Sequence, residues 1–239
     1  MPTIKLPKAI LFDMDDTIIA DDALTERAWQ TACNRFASLV GGIKAQELYT
    51  VIKETSGKYW SDPEQHRKGR LNLIQARREV VSLAFLRLGL HAHQVAIELA
   101  DSYSAEKERL ITPLPGAMET LQTLRNQDVR LALLTNGGAD LQRKKIDRFG
   151  LAPFFDHILI ESEFGAGKPD ERIFQAALVK LQVTAAEAWM VGDDLNRDIA
   201  GAQKLGICSI WLDWRGAGLP SSSPVHPDRI INRLSQLLD

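Results

Sequence analysis

Cysteine is almost absent: Cys33 and Cys208 are the only two in 239 residues. They lie far apart, each in an apolar stretch, which excludes a disulfide framework or a cysteine metal site and predicts two buried core thiols. Histidine is equally sparse, with five residues and no cluster with cysteine. Excess charge of one sign is lacking too. The 29 basic and 31 acidic side chains leave a net charge of −2, which excludes bulk electrostatic binding to a nucleic-acid polymer or a membrane, so any anion site must be local. No apolar run approaches the ~20 residues of a membrane span, and the segment from Met1 to Lys8 has no apolar core of the kind a signal peptide needs. A soluble, cytoplasmic protein is expected. What is present in quantity is apolar content, 45% of the chain, enough to bury one domain with a large insertion, or two domains.

Five short apolar runs read as parallel strands: Ala9 to Phe12, Leu131 to Thr135, His157 to Ile160, Ala188 to Val191 and Ser209 to Leu212. Their near-continuous hydrophobicity suits strands covered on both faces. Helical patterns alternate with them. Met118, Leu121 and Leu124 share a face after Pro115 and Gly116, Asp170 can cap the helix carrying Ile173, Phe174, Ala177 and Leu178, and Asn196 can start one that ends near Gly206. The βαβ alternation predicts an α/β fold with a doubly wound, Rossmann-like parallel sheet. From Asp21 to Thr112 no strand is legible. There Trp29, Cys33, Phe36 and Val40 share one helical face, as do Val81, Phe85 and Leu88. The expected division is a core of residues 1–20 and 113–239 interrupted by a helical module, 21–112. Gly216 to Pro227, rich in Ser and Pro, reads as a long loop.

Each strand run delivers short polar residues at its end. Ala9–Phe12 leads into Asp13, Asp15, Asp16 and Thr17, where an open α/β sheet places its chemistry. Crowded carboxylates repel and lose hydration unless a cation or a phosphoryl-transfer role offsets the cost. Read alone, this is equally an Asp-rich turn. Val129–Leu134 delivers Thr135, Asn136, Gly137 and Gly138; Gly165-Ala166-Gly167-Lys168-Pro169-Asp170 opens a helix; Ala188–Val191 delivers Gly192, Asp193, Asp194 and, further on, Asp198. Alone, Thr135-Asn136-Gly137 is also a strand-to-helix turn and Lys168 a solvated loop lysine.

In order and in strand-end placement these four segments resemble the haloacid dehalogenase superfamily, whose phosphatases use an Asp-x-Asp-x-Thr motif, a Thr or Ser, a Lys and a terminal Asp pair. The likeness covers nearly the whole chain, with the insertion matching only in length and helical character. It implies that the insertion is a cap over an active site. It also implies that Asp13 is a nucleophile forming an aspartyl-phosphate, and that Asp15 protonates the leaving alkoxide and then deprotonates the attacking water. A free Asp ionises near pH ~3.9, so that role calls for acidic neighbours and a drier site. The dehalogenases of the superfamily lack an acid at the Asp15 position, because a halide leaves without a proton.

A phosphate dianion and a carboxylate repel: two unit charges ~4 Å apart do so by ~4 kcal/mol at an effective dielectric of 20. Mg²⁺ is the expected cofactor, held by the Asp13 and Asp193 carboxylates, with the backbone carbonyl of Asp15 added by resemblance. Thr135, the amides of Asn136 and Gly137, and Lys168 are expected to hold the phosphoryl oxygens, with Lys168 also pairing with Asp194. Asp194 and Asp198 are placed outside the direct contacts, Asp198 holding a metal-bound water or a helix N-terminus. Asp16 is given no chemistry.

The core motifs handle only phosphate, so specificity is expected from the insertion. Its Lys58, Tyr59, Trp60, His66, Arg67, Lys68, Arg70, Arg77 and Arg78 can read an anionic substrate or be a solvated basic face. The insertion length, the stretch Val129–Gly137 and Gln142-Arg143-Lys144-Lys145-Ile146 resemble the branch holding N-acylneuraminate-9-phosphatase and the pyrimidine 5′-nucleotidases. The expected substrate is a small phosphorylated metabolite, first N-acylneuraminate 9-phosphate, then a nucleoside 5′-monophosphate. A phosphomutase or a haloacid dehalogenase are the further alternatives.

Overall fold

The structure, a computed structural model, describes residues 6–21 and 24–239. Residues 1–5, part of the segment read for a leader, and residues 22–23 of the insertion lie outside the described residues. The described strands are β1 (Ala9–Phe12), β2 (Ile19–Ala20), β3 (Thr112–Pro113), β4 (Arg130–Thr135), β5 (His157–Ile160), β6 (Ala188–Gly192), β7 (Cys208–Leu212) and β8 (Arg229–Ile231).

Six of them form one sheet in the order β5-β4-β1-β6-β7-β8, every neighbour parallel. The fold is α/β and doubly wound. From β1 the chain moves outward through β4 and β5, then crosses back to β6 and moves outward the other way, so the carboxyl ends of β1 and β6 flank the switch point where such sheets bind ligands. Alternation along the strands sends Ala9, Leu11, Ala132, Leu134 and Met190 to one face, where they pack on Ile173, Phe174, Ala177 and Leu178 of helix Glu171–Leu181. Asp170 caps that helix through the Arg172 amide, as the sequence predicts. Phe12 meets Phe155 edge-on, ring centroids 6.3 Å apart.

The five predicted strands are all present. The sixth, β8, follows the Ser- and Pro-rich loop and was not expected, because three residues give no periodicity to read. Gly201 lies under Phe174, where a Cβ would come within 2.8 Å of the ring, so glycine is needed for that helix contact. Cys33 is buried, its thiol pushed up to about 12 by burial. Cys208 is only partly covered, which corrects its reading as a buried core thiol: it is the first residue of β7, and burial is complete only from Ser209 onward.

The chain divides into two compact units, one from the chain up to Ala20 together with Thr112–Asp239, the other Asp21–Ile111. β2 and β3 pair antiparallel at the division, Ile19 opposite Pro113 and Ala20 opposite Thr112. The second unit holds helices Thr25–Phe36, Ala45–Ser61, Pro63–Gly69, Leu73–Arg87 and His93–Leu110. Their apolar faces close on Trp29, Cys33, Phe36, Leu48, Ile52, Val81, Phe85 and Leu99, and Trp29 stacks on Tyr103 with centroids 3.6 Å apart. The basic side chains largely have local partners: Lys68 pairs with Glu64 at 2.6 Å, Arg78 with Asp101 at 2.8 Å, and Arg77 donates to Ser104. No helix among the described residues is long and apolar enough to cross a membrane.

Candidate active site

Asp13 directly follows β1, and its amide donates to the Val191 carbonyl at 2.9 Å, tethering the strand end to β6. Its carboxylate is buried. Oδ1 lies 2.5 Å from Lys168 Nζ, and Oδ2 accepts from the Thr17 hydroxyl at 3.1 Å. Thr17 is folded back by a turn in which Ile18 and Ile19 both donate to the Met14 carbonyl and Asp16 adopts φ +60°. Asp16, itself buried, pairs with Arg215 at 3.2 Å.

Lys168 is held by its backbone. The Asn136 carboxamide donates to the Lys168 carbonyl at 2.7 Å and accepts from the Lys168 amide at 2.8 Å. One residue earlier, a Cβ on Gly167 would stand 2.5 Å from Glu161 Cδ, so only glycine lets this segment approach. The Lys168 ammonium lies between Asp13 and Asp198 Oδ1, the latter at 2.7 Å, in a residue that is 3% exposed.

At the end of β6, Asp194 caps the next turn, accepting from the amides of Asn196 and Arg197 and from Arg197 Nε. A turn of π-helix, Leu195–Ile199, then brings Asp198 back under Gly192. A Cβ on Gly192 would lie 2.2 Å from Asp198 Oδ2. That oxygen accepts from the Asp194 amide at 3.0 Å. Asp198 Oδ1, close enough to Lys168 for charge attraction, is a buried acceptor without an aligned hydrogen bond. Oxygens of Asp13, Asp193 and Asp198 all lie within 4.8 Å of one another.

Burial, with the charges of Asp13 and Asp198 added, pushes the Asp193 carboxyl up to about 9. Burial also raises Asp13, against the opposing pull of Lys168. For Lys168, burial alone would lower the ammonium, but Asp13 and Asp198 hold it above its usual value. Asp194 is held below the usual carboxylate range, its burial outweighed by Arg197. Asp13, Asp15, Thr135, Asn136, Lys168, Asp193 and Asp198, with Asp194 and Arg197, line a cavity of about 80 Å³.

The structure therefore brings Asp13, Asp15, Thr135, Asn136, Lys168, Asp193, Asp194 and Asp198 to one cavity, and corrects several expected contacts. The Gly137 amide donates to the buried Glu161 carboxylate at 2.9 Å and so is already engaged. Lys168 pairs with Asp198 and not with Asp194, which Arg197 occupies. Asp194, not Asn196, starts the turn after β6. Asp198 stands in the same carboxylate cluster as Asp13 and Asp193, because the wider π-turn returns it to the strand end. Asp15 shares its cavity with acids but is held by a cation and an amide: Lys145 Nζ lies 2.8 Å from Oδ1, and Gln142 Nε2 donates to Oδ2 at 2.8 Å. Gln142, Lys145, Glu161, Gly192 and Arg197 are the residues that motif reading missed. The first two lie in the segment Gln142–Ile146 that carries part of the family resemblance, and their spacing of three on the helix after Thr135 would have put them on one face.

A family model described as haloacid dehalogenase-like hydrolase matches residues 7–206. A phosphoserine phosphatase of Thermus thermophilus is 34% identical over 96% of this chain and 97% of its own. A glyceraldehyde 3-phosphate phosphatase of Methanopyrus kandleri is 32% identical over 97% and 96%, and a pyrimidine 5′-nucleotidase of Escherichia coli 31% identical over 96% and 96%. Among solved structures, a 2-haloacid dehalogenase from Pseudomonas syringae pv. Tomato matches with a TM-score of 0.65 and 28% identity over 97% and 96%. With the strand-end carboxylates, the switch-point cavity and a match of this length agreeing, the chain belongs to the haloacid dehalogenase-like hydrolase family.

Proposed function

We propose that the protein is a Mg²⁺-dependent phosphomonoester hydrolase that works through an aspartyl-phosphate on Asp13. The observation that carries this reading is the pair of carboxylates on one cavity in different settings. Asp13 is held by Lys168 and Thr17, while Asp15 is held separately by Gln142 and Lys145. Displacing a halide has no use for the second carboxyl; expelling an alkoxide does.

Asp13 attacks phosphorus as the P–O bond to the alcohol breaks, and Asp15 gives the alkoxide its proton. Asp15 then takes a proton from water as that water attacks the phosphoryl group, and the Asp13 carboxylate is released. Thr135 and Lys168 stabilise charge on the phosphoryl oxygens during both displacements. Three carboxylate oxygens within 4.8 Å, one of them on a buried acceptor without an aligned hydrogen bond, fit a hard divalent cation. Asp13, Asp193 and Asp198 would hold it, with the Asp15 backbone carbonyl. Bound there, Mg²⁺ offsets the repulsion between Asp13 and the substrate dianion.

The substrate class is a small metabolite carrying phosphate on a primary alcohol. Phosphoserine, glyceraldehyde 3-phosphate and pyrimidine 5′-nucleotides, the substrates in the relatives' names, share that group. N-acylneuraminate 9-phosphate shares it too, but none of the relatives described here is named for it, so it ranks after the other three. The test is phosphate release over these four esters, with Mg²⁺ and with a chelator, beside a 2-haloacid. Mg²⁺-dependent phosphate release is expected. Halide release, or isomerisation of the ester without free phosphate, would overturn the reading.

A further inference from the structure

Helix Ala139–Arg148 follows Gly138 directly and carries two side chains to which no motif gives a role, Gln142 and Lys145. Three residues apart, they share a helix face, and both reach Asp15. Gln142 Nε2 donates to Oδ2 and Lys145 Nζ to Oδ1, each at 2.8 Å. The same Gln142 nitrogen donates to the Thr135 hydroxyl oxygen at 2.5 Å and to the Asn136 carbonyl at 3.0 Å. Gln142 is 3% exposed, so these contacts are made away from water. Reversing the carboxamide would set its oxygen against a carboxylate and a carbonyl, which accept only; the orientation with nitrogen inward is therefore dictated by the partners. Two amide hydrogens then serve three acceptors. Because Thr135 accepts from Gln142, its own hydroxyl hydrogen remains to be donated, and Thr135 borders the cavity.

We propose that Gln142 is a positioning residue that couples the two halves of the site: one carboxamide fixes the acid–base carboxylate of Asp15 and also turns the Thr135 hydroxyl so that it donates to the phosphoryl group. Lys145 completes the clamp from the other Asp15 oxygen. This inference rests on the phosphomonoesterase reading. Neither residue lines the cavity where the phosphoryl group would sit, so each acts through the groups it holds. A buried glutamine with a merely structural role would lower stability and activity independently of Asp15 and Thr135; a positioning role would vanish once its client is gone.

The test is a pair of double-mutant cycles with Mg²⁺ saturating, reading kcat, KM and the melting temperature. Gln142→Leu is combined with Asp15→Asn on an alkyl phosphate, and with Thr135→Val on an activated aryl phosphate. The single Gln142→Leu change should lower kcat by about 10²-fold on the alkyl ester, the scale of acid–base assistance, with KM changed by less than about threefold. In the Asp15→Asn background the further loss on the alkyl ester should shrink to the part carried through Thr135, the same factor that Gln142→Leu alone shows on the aryl ester. In the Thr135→Val background the further loss on the aryl ester should be under about threefold; both are strong non-additivity. If Gln142→Leu does not fold, Lys145→Met takes its place in the Asp15→Asn cycle, with non-additive loss expected. Additive losses in a cycle overturn the inference while leaving the phosphatase reading intact. A wild-type protein that releases no phosphate from either ester overturns that reading and the inference together.

Discussion

In the proposed mechanism the Asp15 carboxyl is what separates alkoxide-expelling chemistry from halide displacement. Asp15→Asn should therefore slow hydrolysis of an alkyl phosphate by at least about 10²-fold and spare an activated aryl phosphate, whose leaving group needs no proton. Equal slowing of the two esters would remove acid catalysis from Asp15. Gly192 carries a second residue-scale prediction. A Cβ there would meet Asp198 Oδ2 at 2.2 Å, and Asp198 is pinned by Lys168 and the Asp194 amide, so it can move only by leaving the cluster. Gly192→Ala should lower stability by about 1–3 kcal/mol, as overpacking does, and cut turnover by about 10²-fold through misplacement of about an ångström. Denaturant titration and steady-state rates check both. Asp13, Thr135, Lys168 and Asp193 were legible because each stands just past an apolar strand or before a helix-opening proline. The engagement of the Gly137 amide was not, because its partner, Glu161, lies 24 positions away and nothing local marks the pair.

At the scale of elements, the turn after β6 decides which carboxylates meet. Five residues of π-helix return Asp198 to the strand end, a geometry that a helix read from Asn196 to Gly206 does not anticipate. Asp198→Asn should therefore weaken Mg²⁺ binding as much as Asp193→Asn, each by more than about tenfold, as read by calorimetric titration. A normal affinity in the Asp198 variant would return it to an indirect role. The helices of the inserted unit were legible from their apolar faces, although Val40 and Leu88 fall just past the helix ends. Periodicity records which side chains are covered and says little about where hydrogen bonding stops. In that unit Trp29 is buried and stacked on Tyr103. Trp29→Ala should cost about 3–5 kcal/mol, measurable as a lowered denaturation midpoint; a change below about 1 kcal/mol would mean that the stack contributes little.

For the whole molecule, strand order follows from βαβ alternation and handedness, which is why a doubly wound sheet could be expected from apolar runs alone. Strand β8 and the contacts of the last thirty or so residues escaped because they depend on long-range pairing. Trp211 Nε1 donates to the Asp193 carbonyl at 2.7 Å, and Arg215 reaches Asp16. Both residues lie beyond the end of the family match at 206, so the carboxylate loops are supported by chain that no motif marks. Sequence motifs thus mark the side chains proposed to react, while the structure shows what holds them. Covalent catalysis by Asp13 is tested most directly by acid-quenching the wild-type protein during turnover of an alkyl phosphate with Mg²⁺ and analysing the Asp13 peptide by mass spectrometry. One phosphoryl group on Asp13, absent from Asp13→Asn, is the expected result. Steady phosphate release with Asp13 never modified, or undiminished release by Asp13→Asn, would contradict it.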